Sequence, residues 1–448
     1  MTLRNHNQKQ IIGYLKNYIR NNKKKIDTSN SSICYFHNYG QLPGAATIRL
    51  KFFGFNYFFS YLKIFLKNIL TVATLKNCKT TKTDQLNYKF KNLFISHVSK
   101  SDFNSDGSYK DKYFNINSKN FKNTLFFLNS IDHNLPKKIS KNIVIFYNSD
   151  KFLKFDLFYF FQILCKEIKS YNFSIKKFLH EFSFLTQFSK IFNEKIISII
   201  NKNNFKKIMS FYEAQPYQNY LFKKLQKEKK IKTIGCYHSG LLPLHSSLIY
   251  REGTPNKILI SGKFQREYLI KNLGWPSRKV FSTTSFRYKK LNRKIYEGYI
   301  FLPYTITFEK KILDGIENYF FKSKKGSLRR YKIKNHPHQG DSAVHNKIIK
   351  KIKLIMIKYH DRFTNKNKNK NKNSIFIGST TSIILALDHG VEAVHVCEQP
   401  LFDSYNNGIW EPIRAKQLSE NVLIYNMKKN RQILQIRNQH DSIKRYLN

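Results

Sequence analysis

The sequence predicts an α/β chain made of two doubly wound units facing each other across a cleft. Three observations lead there. From residue 93 to residue 396, short apolar runs alternate with helical segments of similar length, the pattern of strand–helix–strand units in parallel sheets. A polar, basic stretch at 285–296 interrupts the alternation, which then restarts. In the second half, SIFIGSTTSIILALDHGVEAVHV (374–396) joins an apolar strand to a helix through a glycine and four hydroxyl side chains.

Residues 1–90 carry the weakest pattern: 11–19 reads as a helix, 21–30 as a Lys-rich break, 32–36 as a short strand and 40–44 as a turn. Residues 93–98 predict a strand, followed by a polar loop, 99–111, holding Asp102, Asp106, Gly107 and Asp111. A helix at 121–128, a buried strand at 143–147 and long amphipathic helices at 152–168 and 175–200 come next. The strand 205–216 ends in Tyr212, Glu213 and Gln215, and a helix at 217–227 follows. The strand 232–238 ends in Tyr237-His238-Ser239-Gly240, and 257–261 meets Gly262. A helix at 265–273, a turn at 274–276 and a strand at 279–283 close the first unit.

Beyond the linker come a strand at 299–303, a helix at 308–321 and a strand at 331–335 that runs into His336-Pro337. The helix 343–359 leads into NKNKNKNKN (365–373), read as a solvated loop. A strand at 375–377, a helix at 383–387 ended by Gly390 and a strand at 391–396 follow. A loop through Trp410 and a terminal helix near 431–447 complete the chain. The predicted parts are an N-terminal extension at 1–90, a first domain at 91–285 and a second at 286–448.

At 448 residues, 41% hydrophobic and 15% aromatic, the chain has material for real cores, which argues against a disordered class. Its 80 basic and 28 acidic residues give a net charge of +52, suited to anionic partners. Cys34, Cys78, Cys165, Cys236 and Cys397 show no metal spacing, and read as free thiols of a reducing cytoplasm. Segments 52–62 and 157–165 are too short to span a bilayer. Residues 52–75 mix Phe, Tyr and Ile with Lys63 and Lys67, so part of the N-terminal extension is a candidate for the headgroup layer of a membrane. A buried helix is the first reading of that segment, and the headgroup layer the second.

Two features carry candidate chemistry. A strand, a glycine turn and a helix start, with Ser379, Thr380, Thr381 and Ser382 at the turn, offer backbone N–H groups and hydroxyls to a phosphate. Plain helix capping is the competing reading. His336-Pro337 lies about forty residues earlier, the length of one strand–helix–strand unit, so both features fall on one sheet edge.

The order Tyr212-Glu213-Ala214-Gln215-Pro216, Gly235-Cys236-Tyr237-His238-Ser239, Ser261-Gly262-Lys263-Phe264, Arg287-Tyr288, His336-Pro337 and the Ser/Thr turn is similar to a known group. It resembles the GT-B glycosyltransferases of bacterial surface-carbohydrate (O-antigen or capsule) biosynthesis. HP-motif sialyltransferases and CDP-glycerol glycerophosphotransferases are related to these. The resemblance covers 212–396 and implies two Rossmann-like domains, the second binding a nucleotide-sugar. By it His336, with Pro337 fixing its loop, and the Ser379–Thr380–Thr381–Ser382 turn hold the donor phosphates. Glu213, or else His238, deprotonates the acceptor hydroxyl, and Arg287 offsets leaving-group charge.

No fitting DxD motif occurs, so transfer without a metal or cofactor is expected. The related enzymes carry a Glu in the helix after the turn; here the nearest acids are Asp388 and Glu392. The expected partners are a nucleotide-sugar, a polysaccharide or lipid-linked acceptor and the anionic inner-membrane surface, reached from the cytoplasm. A CDP-polyol phosphotransferase of the same fold is the alternative enzyme. A basic nucleic-acid-binding protein is the rival outside enzymes, although no RNP, zinc or helix-turn-helix signature appears.

Overall fold

The computed structural model describes residues 8–22, 90–111, 113–130, 135–148, 184–229, 231–288, 296–336, 342–363, 373–406, 408–436 and 443–447, with scattered positions in 50–81 and 158–168. The expected strand at 32–36, turn at 40–44 and most of the helix at 152–168 lie outside them.

The first sheet is laid down between residues 78 and 283. Its strands are β1 Cys78–Thr80, β2 Asn92–Val98, then, past a small hairpin of β3 Lys110–Asp111 and β4 Ile116–Asn117, β5 Thr124–Ser130, β6 Ile143–Asn148, β7 Lys207–Phe211, β8 Lys232–Cys236, β9 Lys257–Ser261 and β10 Val280–Thr283. Among the described residues the spatial order is β1-β6-β5-β2-β7-β8-β9-β10. Only β1 runs antiparallel to its neighbour. The helix expected at 121–128 is instead β5. Its run Leu125–Phe126–Phe127–Leu128 is buried on both faces between β2 and β6, and a strand in that position needs no polar alternation.

Among the described residues the helices that pack around this sheet are α1 Gln8–Asn22, α2 Phe184–Asn201, α3 Pro216–Lys224 and α4 Lys263–Lys271. α3 begins with Pro216, whose fixed φ and missing N–H suit a first helical turn.

The second sheet combines β11 Tyr299–Phe301, β12 Lys332–Lys334, β13 Asn373–Ile377, β14 Glu392–Val396, β15 Ile413–Ser419 and β16 Val422–Met427. Its order is β12-β11-β13-β14-β16-β15, parallel through β14 and antiparallel beyond. The helices here are α5 Glu309–Lys322, α6 Ala343–Lys358, α7 Ser382–Asp388, α8 Pro400–Asp403 and α9 Lys444–Leu447. Strand alternation sends Ile375 and Ile377 into one apolar cluster with Ile312, Ile316, Ile348 and Ile352 of α5 and α6. It sends Phe376 to the other face, with Ile383 and Ile384 of α7. Helices on both faces make this sheet doubly wound, as the sequence predicted.

The chain end departs from expectation. Where a loop and a long terminal helix were expected, β15 and β16 form an edge hairpin, and among the described residues of 431–447 only Lys444–Leu447 is helical. Residues 433–435 instead cross to the first sheet. Ile433 and Leu434 donate backbone N–H groups to Asp388 at 2.8 Å each, while the Gln435 carbonyl accepts from Ser285 N at 2.8 Å. α1 crosses the other way, as the Gln8 amide donates to the carbonyls of Leu401 at 3.2 Å and Ser404 at 2.6 Å.

The α7 face of the second sheet shares one apolar cluster with the first lobe. Trp410 Nε1 donates to the Pro243 carbonyl at 3.0 Å, and Tyr405 donates to Leu241 O at 3.2 Å. The two lobes therefore meet through packed, hydrogen-bonded core.

Candidate functional site

In a doubly wound sheet, ligands sit outside the strand C-termini where the strand order reverses. The first sheet reverses between β2 and β7, the second between β11 and β13.

At the first reversal point, β2 presents His97 and β7 ends at Phe211, with Glu213 just beyond. The turn carrying Glu213 is held tightly. Gln218 Oε1 accepts the N–H groups of Glu213 at 3.1 Å and Gln215 at 3.0 Å, while Ala214 sits at φ 59°, a left-handed conformation uncommon outside glycine. The Gln215 amide donates to Glu213 Oε2 at 3.1 Å. Burial raises the Glu213 carboxyl above its ordinary value, opposed by the Gln215 hydrogen bond and the Arg287 charge.

His238 follows β8 and is 8% exposed. Its ring lies 4.4 Å from that of Tyr113, and its Nδ1 is buried without a hydrogen-bond partner. Burial, with Arg287 and His97 adding positive charge, pushes its pKa down to about 3, so the imidazole stays neutral. The exposed Arg287 guanidinium stands 5.2 Å from the ring centres of both Tyr113 and Tyr288. Tyr113 is positioned by Asp111, a fully buried carboxyl that accepts from Ser96, Tyr109, Tyr113 N and Phe114 N. His97 takes the Asn129 amide on Nδ1 at 3.0 Å, which leaves the proton on Nε2.

At the second reversal point, Gly378 takes φ 63° and opens the hydroxyl turn. Ser379 donates to Asp403 Oδ1 at 2.6 Å, Thr380 Oγ1 accepts from Ser382 N at 3.2 Å, and Thr381 Oγ1 accepts from Ser239 at 3.2 Å. Three of the four hydroxyls thus have partners within the protein, and α7 is a short helix starting at Ser382. His336 lies two residues past β12, its ring 5.2 Å from that of the exposed Tyr304. Pro337 lies outside the described residues.

The structure puts His336 and the hydroxyl turn on one sheet edge, with β11 and its continuation Pro303–Tyr304 between them. Two strand spacings, about 10 Å, separate them. Neither acid flagged near the turn faces this edge: Asp388 caps the crossing segment, and Glu392 starts β14 at the opposite edge beside Asn373 and Asn426. Among the described residues no three His, Cys, Asp or Glu side chains form a metal-holding group, and no helix is long and apolar enough to cross a membrane. Cys78, Cys165, Cys236 and Cys397 are free thiols.

Sequence reasoning missed His97, Tyr113 and Tyr304. The first two gain meaning only from strand order and a long-range contact. Tyr304 had a usable signal, as an aromatic residue just past a strand in the second half.

No family model matches the sequence, and no curated protein matches it. Among solved structures, the chain is similar to a sucrose-phosphate synthase from Thermosynechococcus elongatus, with TM-score 0.34, 11% identity and coverage of 68% of this chain and 81% of that one. It is also similar to a glycosyltransferase from Rickettsia africae ESF-5, with TM-score 0.30, 12% identity and coverage of 71% and 86%.

Proposed function

We propose that the chain transfers a sugar from a nucleotide-activated donor to a hydroxyl of a growing surface polysaccharide or lipid-linked acceptor. The observation that carries this reading is the Ser239–Thr381 hydrogen bond at 3.2 Å. It brings the loop holding His238 against the turn of the second sheet, which supports a shared site for groups from both reversal points.

In this reading the second lobe takes the donor. Backbone N–H groups of the turn meet the diphosphate, His336 approaches it from the β12 end, and the exposed ring of Tyr304 is a platform for a base or sugar. Glu213 accepts the acceptor's proton as the hydroxyl oxygen bonds to the anomeric carbon and the diphosphate departs with its electron pair. Burial makes Glu213 a stronger base than an ordinary carboxylate, whereas His238, driven down to about 3, is a poor one. Arg287 and the turn offset leaving-group charge, and no resident metal is invoked.

The test is a melting-temperature screen with UDP-, CMP-, CDP- and GDP-linked donors, comparing the parent chain with His336→Ala. One donor class is expected to raise the melting temperature, with the rise lost in the variant. No shift with any donor overturns the reading. A shift with a CDP-polyol alone moves the chain to phosphotransfer.

A further inference from the structure

We propose that the outward face of α6 docks the protein on an anionic lipid bilayer. α6 reads AVHNKIIKKIKLIMIK, with five lysines and no acid. Its inner side is served by Ile348 and Ile352, which are fully buried against α5 and the second sheet. Leu354 and Ile357 are not needed there, and stand 65% and 67% exposed.

At 100° per residue, Leu354 and Ile357 flank Lys350 in the middle of the outer face. Lys353 falls to one side, and Lys347 and Lys358 to the other. Lys347, Lys351 and Lys358 are bound to Glu309 or Glu317 of α5, at 3.6, 2.6 and 2.6 Å. Lys350 and Lys353 have no carboxylate partner among the described residues. Phe321, one turn beyond Glu317 on α5, adds a third large apolar side chain at 61% exposure.

Charge decides that the occupant is anionic, and the apolar side chains decide that it is a bilayer. A nucleic acid would use the lysines but leave Leu354, Ile357 and Phe321 in water. A membrane interface takes both, burying apolar side chains below the headgroups while lysine stems extend to the phosphates. The α5–α6 layer also covers the face of the second sheet turned away from α7 and the first lobe. A chain docked there keeps its crevice clear of the bilayer, and docking requires no particular chemistry within it.

The full chain is tested by co-sedimentation with vesicles of phosphatidylcholine alone, and with vesicles of phosphatidylcholine and phosphatidylglycerol in equal parts. Three double variants are compared: Leu354→Gln/Ile357→Gln, Lys350→Gln/Lys353→Gln, and Lys202→Gln/Lys206→Gln, which removes the same charge from the first lobe. Circular dichroism and melting temperature establish that each is folded. Binding is expected with the anionic vesicles, falling at least about tenfold in each of the first two variants and little in the third. The docking face is overturned by equal losses in all three, by equal binding to neutral vesicles, or by no loss in the Leu354/Ile357 pair. It is also overturned if the first two variants weaken binding to duplex DNA while vesicle binding is unchanged.

Discussion

Ser239 donates to Thr381 across 3.2 Å, and these two side chains belong to loops at the C-terminal edges of different sheets. The edges that carry Glu213 and the hydroxyl turn are therefore in register, a relation that neither loop shows alone.

That contact has a measurable energy. In a double-mutant cycle of Ser239→Ala and Thr381→Val, we expect a coupling of about 0.5–1.5 kcal/mol in urea unfolding. A coupling near zero would mean that the loops touch without holding each other.

Glu213→Gln should lower the transfer rate about 10²–10⁴-fold with little change in fold. In the proposed mechanism Glu213 acts as a carboxylate, and burial raises its pKa, so the rate should fall as pH drops through a point above the ordinary carboxyl value of 4.5. His238 titrates near 3, so His238→Asn should leave the position of that acid limb unchanged. A limb that moves in the His238 variant reverses the assignment.

Asp388 is a buried acid whose pKa is pushed up to about 7 by desolvation, against the two N–H groups of Ile433 and Leu434. The folded state therefore holds a proton that the unfolded chain has released over this range. Stability should fall as pH rises from about 4 to about 7 and level off above. Asp388→Asn should remove that slope, as read from denaturant midpoints of both proteins across pH.

Gly262 has φ 90° and ψ 149°, a region open essentially to glycine alone, and a Cβ there would run into the Ile433 carbonyl. Gly262→Ala should cost about 2 kcal/mol or more. Gly326→Ala, at φ 62° with open space around it, should cost about 1 kcal/mol. Urea unfolding of the two variants separates the collision from backbone strain.

Much of the architecture was legible because its strands are short apolar runs bounded by turn residues: β2, β6, β7, β8, β9, β13 and β14 fall close to where the sequence put them. β5 was misread because four consecutive apolar residues have neither period, and a doubly buried strand looks like a short helix. The β15–β16 hairpin was missed although Ile413 is buried and Arg414 exposed, because IRAKQLS carries too few apolar residues to mark a face. At the site, Glu213, His238 and the hydroxyl turn were readable as strand-end residues. The separation of His336 from that turn was not. It depends on β11 lying between two strands that follow it in sequence, which only topology decides.

The crossing of the chain end onto Gly262 sets the order in which the molecule can be completed. Residues 433–435 leave the ribosome after the whole second sheet, yet they finish the surface of the lobe made first. Until they emerge, that lobe waits with Gly262 uncovered, and deleting residues 433–435 would injure a lobe whose own strands all precede the second sheet.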